Sequence, residues 1–245
     1  MLIGAGNVAE MAARAPVMRG LHPEPFVLAE ADVLQVTYEI TTAEHDLVLP
    51  PALHPTDPPI ATWLLYRCLR SPWGPMAMAQ TRIECRSGLR LRAFQISAVV
   101  DNAAAAAVLG AEWGYTTVAG EVLLHRYYDA IRGVVRVGSA TILDVLVTDP
   151  DPLSPGDVHY VPNMNLAHTP RGLRLVQVEP KVDARRAERG RPRVVEFDGG
   201  AWGDRRVVPA YPVAASLAVA DVAFSNIRFM CRPDVWAFEG TEAVK

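Results

Sequence analysis

The sequence predicts a mainly β, α+β fold with a few short helices. Three observations carry that expectation. Runs rich in β-branched and aromatic residues recur along the chain, as in Val33–Ile40, Ile60–Cys68 and Leu89–Val100. Proline and glycine clusters interrupt them, at Pro50-Pro51, Pro55–Pro59 and 148–156. One stretch alone, Asn102–Trp113, has the composition of a helix, because its alanine run from Ala103 to Ala107 suits nothing else. With 245 residues, half of them apolar, the chain can bury one sizeable core. No internal repeat or linker divides it, so residues 29–245 read as a single domain behind an N-terminal arm, 1–28.

In order, the arm mixes small residues, prolines and apolar residues without a period. Val33–Ile40 is the first strand. Thr41-Thr42-Ala43-Glu44 carries an N-cap candidate for a turn or two of helix. Ile60–Cys68, Ala77–Glu84 and Leu89–Val100 follow as three strands, the last two joined by a turn at Arg86-Ser87-Gly88. Asn102–Trp113 is capped by Asp101 or Asn102 and ended by Gly114. Strands are expected at Glu121–Tyr128, Val158–Met164, Leu173–Val182, Val194–Phe197 and Val222–Met230, with one long strand or a pair over Gly133–Val147. Ala184–Arg191 reads as a charged loop or short helix, and Pro209–Asp221 as a short helix.

Composition narrows the function. A net charge of −3 gives no basic excess, so nucleic acid is not an expected partner. No apolar run approaches the ~18 residues of a membrane span, and no secretory leader is evident, so cytoplasm is the default expectation. Three widely spaced cysteines, Cys68, Cys85 and Cys231, read as reduced thiols. No Cys/His/carboxylate spacing suggests a metal, and no cofactor is expected. Gly4-Ala5-Gly6 lacks the third glycine and the preceding strand of a dinucleotide site. Only two lysines occur, Lys181 and Lys245, so an amine nucleophile has few sources.

Several segments stand in a meaningful order: Leu49–Leu53 (Leu-Pro-Pro-Ala-Leu), Ser71–Pro75, Asp101-Asn102, Glu112-Trp113-Gly114-Tyr115-Thr116-Thr117 and Val161–Met164. Over roughly residues 33–235 this order resembles the acetoacetate decarboxylase family. The resemblance implies a double-sheet β-cone or barrel, a homo-oligomer and a pocket beside the Gly114–Thr117 turn. In that family the turn reads Gly-Tyr/Phe-Pro-Lys and the lysine forms a Schiff base. Here the lysine position is Thr117, and a hydroxyl cannot replace a primary amine. The positions corresponding to the family's two acids and arginine fall near Met78, Leu64 and Ala31.

The expected chemistry is therefore that of an apolar pocket holding a carbonyl-bearing intermediate. Thr117 or Tyr115 would polarise the carbonyl. Glu84 and His125 are the titratable candidates for proton transfer. Trp113, Thr116, Met76, Met78, Leu64, Tyr66 and Arg67 would line the pocket, although only one of Tyr66 and Arg67 can face inward on a strand. Cyclisation, isomerisation, dehydration or decarboxylation fits such a pocket in specialised metabolism. The alternative is a non-catalytic small-molecule binding or structural protein on the same scaffold.

Overall fold

A computed structural model describes residues 3–41 and 43–245. Among the described residues, fifteen strands join one hydrogen-bonded sheet, with three short α-helices. The strands are β1 (Phe26–Ile40), β2 (His54–Pro55), β3 (Ile60–Ser71), β4 (Gly74–Ser87), β5 (Arg90–Val100), β6 (Thr117–Ala119), β7 (Glu121–Arg126), β8 (Ala130–Val137), β9 (Ala140–Leu153), β10 (Asn163–Thr169), β11 (Gly172–Val178), β12 (Lys181–Phe197), β13 (Pro209–Phe224), β14 (Phe229–Cys231) and β15 (Thr241–Ala243). The helices are α1 (Val8–Ala12), α2 (Ala103–Trp113) and α3 (Ala237–Gly240). Their order across the sheet is β15-β14-β11-β10-β5-β4-β3-β1-β13-β12-β9-β8-β7. Neighbours are antiparallel except β10 on β5, and the side strand β6 also runs parallel to β5.

The sheet curls until β7 packs back over β3, β4 and β5. One face of these central strands then forms a core with Trp63, Leu65, Ala79, Leu124 and Val145. The other forms a second core with Leu64, Tyr66, Met78 and the buried side of α2. Both faces being covered, β3 and β4 lose the apolar/polar alternation of a half-exposed strand and read as nearly continuous apolar runs.

The predicted helix forms almost as expected. Asn102 caps it, its Oδ1 accepting from Ala105 N at 3.0 Å, and Gly114 ends it at φ 70°. Strands β4 and β5 are joined by a tight turn at Gly88-Leu89, shifted towards the C-terminus from the expected Arg86-Ser87-Gly88.

Elsewhere the structure departs from the sequence reading. The first strand begins at Phe26. The turn or two of helix expected to be capped within Thr41–Glu44 is a 3-10 turn at His45–Val48, preceded by Glu44; Thr42 lies outside the described residues. Gly4 serves packing: a Cβ there would meet Pro50 O at 2.3 Å, and its N–H donates to Leu53 O. Met1 and Leu2 of the same motif lie outside the described residues.

Ala184–Arg191 is neither loop nor helix but part of β12, paired on both sides with β9 and β13. Pro209–Asp221 is likewise the strand β13, held between β1 and β12. Local charge and alanine content were overridden by two-sided ladder pairing. Strand β9 runs on through Pro150 and Pro152, where β12 remains its partner but β8 no longer does, so the missing N–H groups break no second ladder. The strand expected at 158–164 starts at Asn163, directly after Pro162.

Candidate functional site

The Asp101-Asn102 pair organises one end of the second core. Asp101 Oδ1 accepts from Ala77 N at 2.6 Å, and Asn102 Nδ2 donates to Trp73 O and Pro75 O at 3.0 and 3.1 Å. The loop before β4 is thereby tied to the start of α2. Burial raises the Asp101 carboxyl, and the Ala77 N–H opposes that rise. At the far end Gly114 N donates to Gly110 O, Tyr115 N to Leu109 O, and Asn165 Nδ2 to Trp113 O. A Cβ at Gly114 would stand 3.1 Å from Ala167 Cβ and Met18 Sδ. The turn is therefore held at both conformation and contact, and it delivers Tyr115 fully buried.

Leu64, Tyr66, Met76, Met78, Trp113 and Tyr115, expected to line one pocket, do meet in one buried cluster. Ala31 is there too. The register explains it: Tyr66 stands opposite Met78, Leu64 opposite Gln80, and Thr62 opposite Arg82. Met76, Met78, Gln80 and Arg82 alternate along β4 and share a face.

The expectation of a polar-poor lining fails at the end of that row. Arg82 is 2% exposed and donates through Nη1 to Val161 O and Asn163 Oδ1, both at 2.9 Å. Asn163 Nδ2 donates to Gln80 Oε1 at 2.8 Å and to the Tyr115 hydroxyl at 3.1 Å. Among the described residues, Arg82 Nε and Nη2, Gln80 Nε2 and the Tyr160 hydroxyl have no hydrogen-bond partner. A slot of about 10 Å³, roughly one water, lies between Leu64, Tyr66, Arg82, Tyr160 and Asn163. Tyr160 comes from residues 158–162, which carry no regular structure; Gln35 Nε2 tethers them by donating to His159 O at 3.2 Å.

The electrostatics are unusual. No ion pair among the described residues includes Arg82. Burial pushes its pKa down, while Tyr66, Tyr115 and Glu84 oppose that by charge. Burial pushes the Tyr66 phenol up to about 12 and raises those of Tyr115 and Tyr160 strongly, with Arg82 pulling each one back. All three are neutral donors at physiological pH. Two residues beyond Arg82, half-buried Glu84 accepts from Thr62 Oγ1 at 3.1 Å; burial raises its carboxyl above the ordinary range.

Other candidates lie apart from this cluster. Arg67 faces outward and pairs with Asp32, its Nε 3.0 Å from Oδ2, because Tyr66 takes the inward position on β3. His125 is exposed on β7, its ring 6.2 Å from that of Tyr127, and reaches no buried group. Thr116 borders a separate cavity of about 30 Å³ with Met11, Arg14 and Phe94. Thr117 turns its hydroxyl towards α2, 3.7 Å from where a Gly110 Cβ would sit. Both lysines are exposed. Sequence reasoning missed Arg82 and Tyr160. Only the continued two-residue period from Met76 through Arg82 could have signalled the first, and nothing local signals the second. Among the described residues no three His, Cys, Asp or Glu side chains group as a metal site, and no helix is long and apolar enough to cross a membrane.

Residues 11–201 match the family described as "Acetoacetate decarboxylase (ADC)". No curated protein matches the sequence. Among solved structures, acetoacetate decarboxylase from Legionella pneumophila subsp. pneumophila str. Philadelphia 1 is 17% identical over 87% of this chain and 90% of that one, with a TM-score of 0.75. The enduracididine biosynthesis enzyme MppR, complexed with pyruvate, is 19% identical over 87% and 97%, with a TM-score of 0.68. An acetoacetate decarboxylase-like enzyme from Sphingomonas wittichii RW1 is 17% identical over 91% and 97%, with a TM-score of 0.62. At these identities the likeness concerns the fold.

Proposed function

The chain belongs to the acetoacetate decarboxylase family, and from that premise we propose that it is a cofactor-free enzyme of specialised metabolism that binds a carbonyl-bearing acid at Arg82 and transforms it without a Schiff base. One observation carries this reading: a fully buried guanidinium has two unpaired donors and no carboxylate partner. An isolated buried charge is costly, and a bound carboxylate on Nε and Nη2 would offset that cost in the bidentate geometry arginine favours.

The remaining groups suit what such a ligand would need. Gln80 Nε2 and the neutral phenols of Tyr115 and Tyr160 can donate to a carbonyl oxygen and stabilise the enolate that forms from it. Glu84, with its raised carboxyl, is the candidate for moving the α-proton. Leu64 and Met78 would hold the apolar body. Cyclisation, isomerisation, dehydration and decarboxylation can all pass through such an enolate. Thr117, which faces α2, takes no part, and Tyr115 assumes the polarising role. The slot accommodates a substrate when residues 158–162 swing Tyr160 outward.

Pyruvate, the ligand named with MppR, and acetoacetate are suitable probes. Calorimetry should register binding to the wild type and its loss in Arg82→Met. Solvent-deuterium exchange of the probe's α-protons, followed by NMR, should be catalysed by the wild type and abolished in Glu84→Gln. Oxo-acid binding that survives Arg82→Met would overturn the reading, as would a borohydride-trapped adduct on Lys181. Binding without exchange or turnover would instead favour the non-catalytic binding protein.

A further inference from the structure

We propose that the groove between the β4–β5 turn and α3 is a second, independent binding site for an amphipathic acid, namely a carboxylate carrying an aromatic or short aliphatic body. The groove has a volume of about 560 Å³, within the ordinary range for a small-molecule site of roughly 300–1,000 Å³. It shares no lining residue with the Arg82 slot.

Its walls are of two kinds. Arg90, Arg92 and Arg228 supply three guanidiniums. Among the described residues the one carboxylate bonded to them is Glu179, divided between Arg92 Nη2 at 2.9 Å and Arg228 Nη2. Glu242, on β15, is engaged by Arg171 and Arg174, and among the described residues no carboxylate lines the groove itself. Positive charge is therefore in excess where Arg92, 6% exposed, is also desolvated and its Nε lacks a partner among the described residues. Burial lowers the Arg92 pKa; the Glu179 charge opposes that most, Cys85 less, while Arg90 and Arg228 add to the fall.

The other wall is apolar and bare. Leu89 is 88% exposed, Phe238 65% and Phe229 40%, so a large part of each side chain stays open to solvent along the groove. The Phe238 ring stands 3.4 Å from where a Gly88 Cβ would sit, which places it over the β4–β5 turn and fixes the mouth of the groove. An apolar wall facing surplus guanidiniums selects a molecule with a charged end and an apolar body. A neutral alcohol would leave the charge uncompensated, and a cation would be repelled.

The test is calorimetric titration of the intact protein with octanoate and 3-phenylpropionate, against 1-octanol and octylamine. Both acids should bind, and the alcohol and amine should not. Arg228 and Phe238 are exposed, so Arg228→Ala and Phe238→Ser should leave thermal melts unchanged while each weakens octanoate about tenfold. Glu179→Gln should tighten octanoate, since it removes the competing carboxylate. Binding should persist in Arg82→Met, which separates this site from the Arg82 slot. Equal binding of octanol, wild-type affinity in both groove variants, or loss of octanoate binding in Arg82→Met would each overturn the proposal.

Discussion

Arg82 on β4 and Arg92 on β5 are both nearly buried, at 2% and 6% exposed, on neighbouring antiparallel strands. Arg92 has a carboxylate at 2.9 Å; Arg82 has only carbonyl and amide oxygens. The same residue type, removed from water to nearly the same degree, is thus balanced within the chain in one place and not in the other. A buried charge without a counter-charge lowers stability, and a bound anion would offset that cost. The difference is what the proposed ligand role of Arg82 rests on, whereas Arg92 has a structural partner in Glu179.

Substitution can break that comparison most directly at Arg82. Arg82→Met should raise stability by about 1–4 kcal/mol, since an apolar side chain of similar length replaces an unpaired buried charge, while oxo-acid binding is lost. Denaturant melts and calorimetry read the two effects together; a destabilised variant would mean that the hydrogen bonds to Val161 and Asn163 outweigh the desolvation. Arg92→Met should have the opposite sign. It strands part of the Glu179 charge, but Glu179 is partly exposed and keeps Arg228, so about 1–2 kcal/mol of destabilisation is expected in the same melts.

Gly114→Ala tests whether the turn holds Tyr115 in place beside this network. At φ 70°, with neighbours at 3.1 Å, the added Cβ should cost about 1–2 kcal/mol. Tyrosine fluorescence and oxo-acid affinity should change together if the turn positions the slot.

The smallest effect at neutral pH concerns Tyr66. Its folded pKa, about 12, lies above the unfolded value near 10. Both states hold the proton below pH ~10. Above it the unfolded chain releases its proton first, so stability falls as pH rises towards 12. Melts at pH 9 and pH 11 should show that fall in the wild type and a smaller one in Tyr66→Phe.

Several features were legible because they are local. The helix α2 follows from an Asx cap, an alanine run and a glycine stop, all satisfied by bonds within a few residues. The clustering of Leu64, Tyr66, Met76 and Met78 with Tyr115 followed from strand alternation and the family turn. Arg67 failed because alternation leaves two phases, and only burial chose Tyr66. His125 failed because a useful titrating group must meet a pocket, whereas β7 turns that side chain to solvent.

The chain's own order of residues settled the family, the central strands and the helix that delivers Tyr115, since these rest on propensity, capping and period-two patterning. The folded arrangement settled the rest. Strand β12 exists because β9 and β13 flank it, despite a composition that argues otherwise. Arg82 stands out because partners 79 and 81 residues away in sequence engage its Nη1, while Nε and Nη2 stay unpaired. Long-range pairing and the exclusion of water are properties of the assembled sheet, and no short window of sequence contains them.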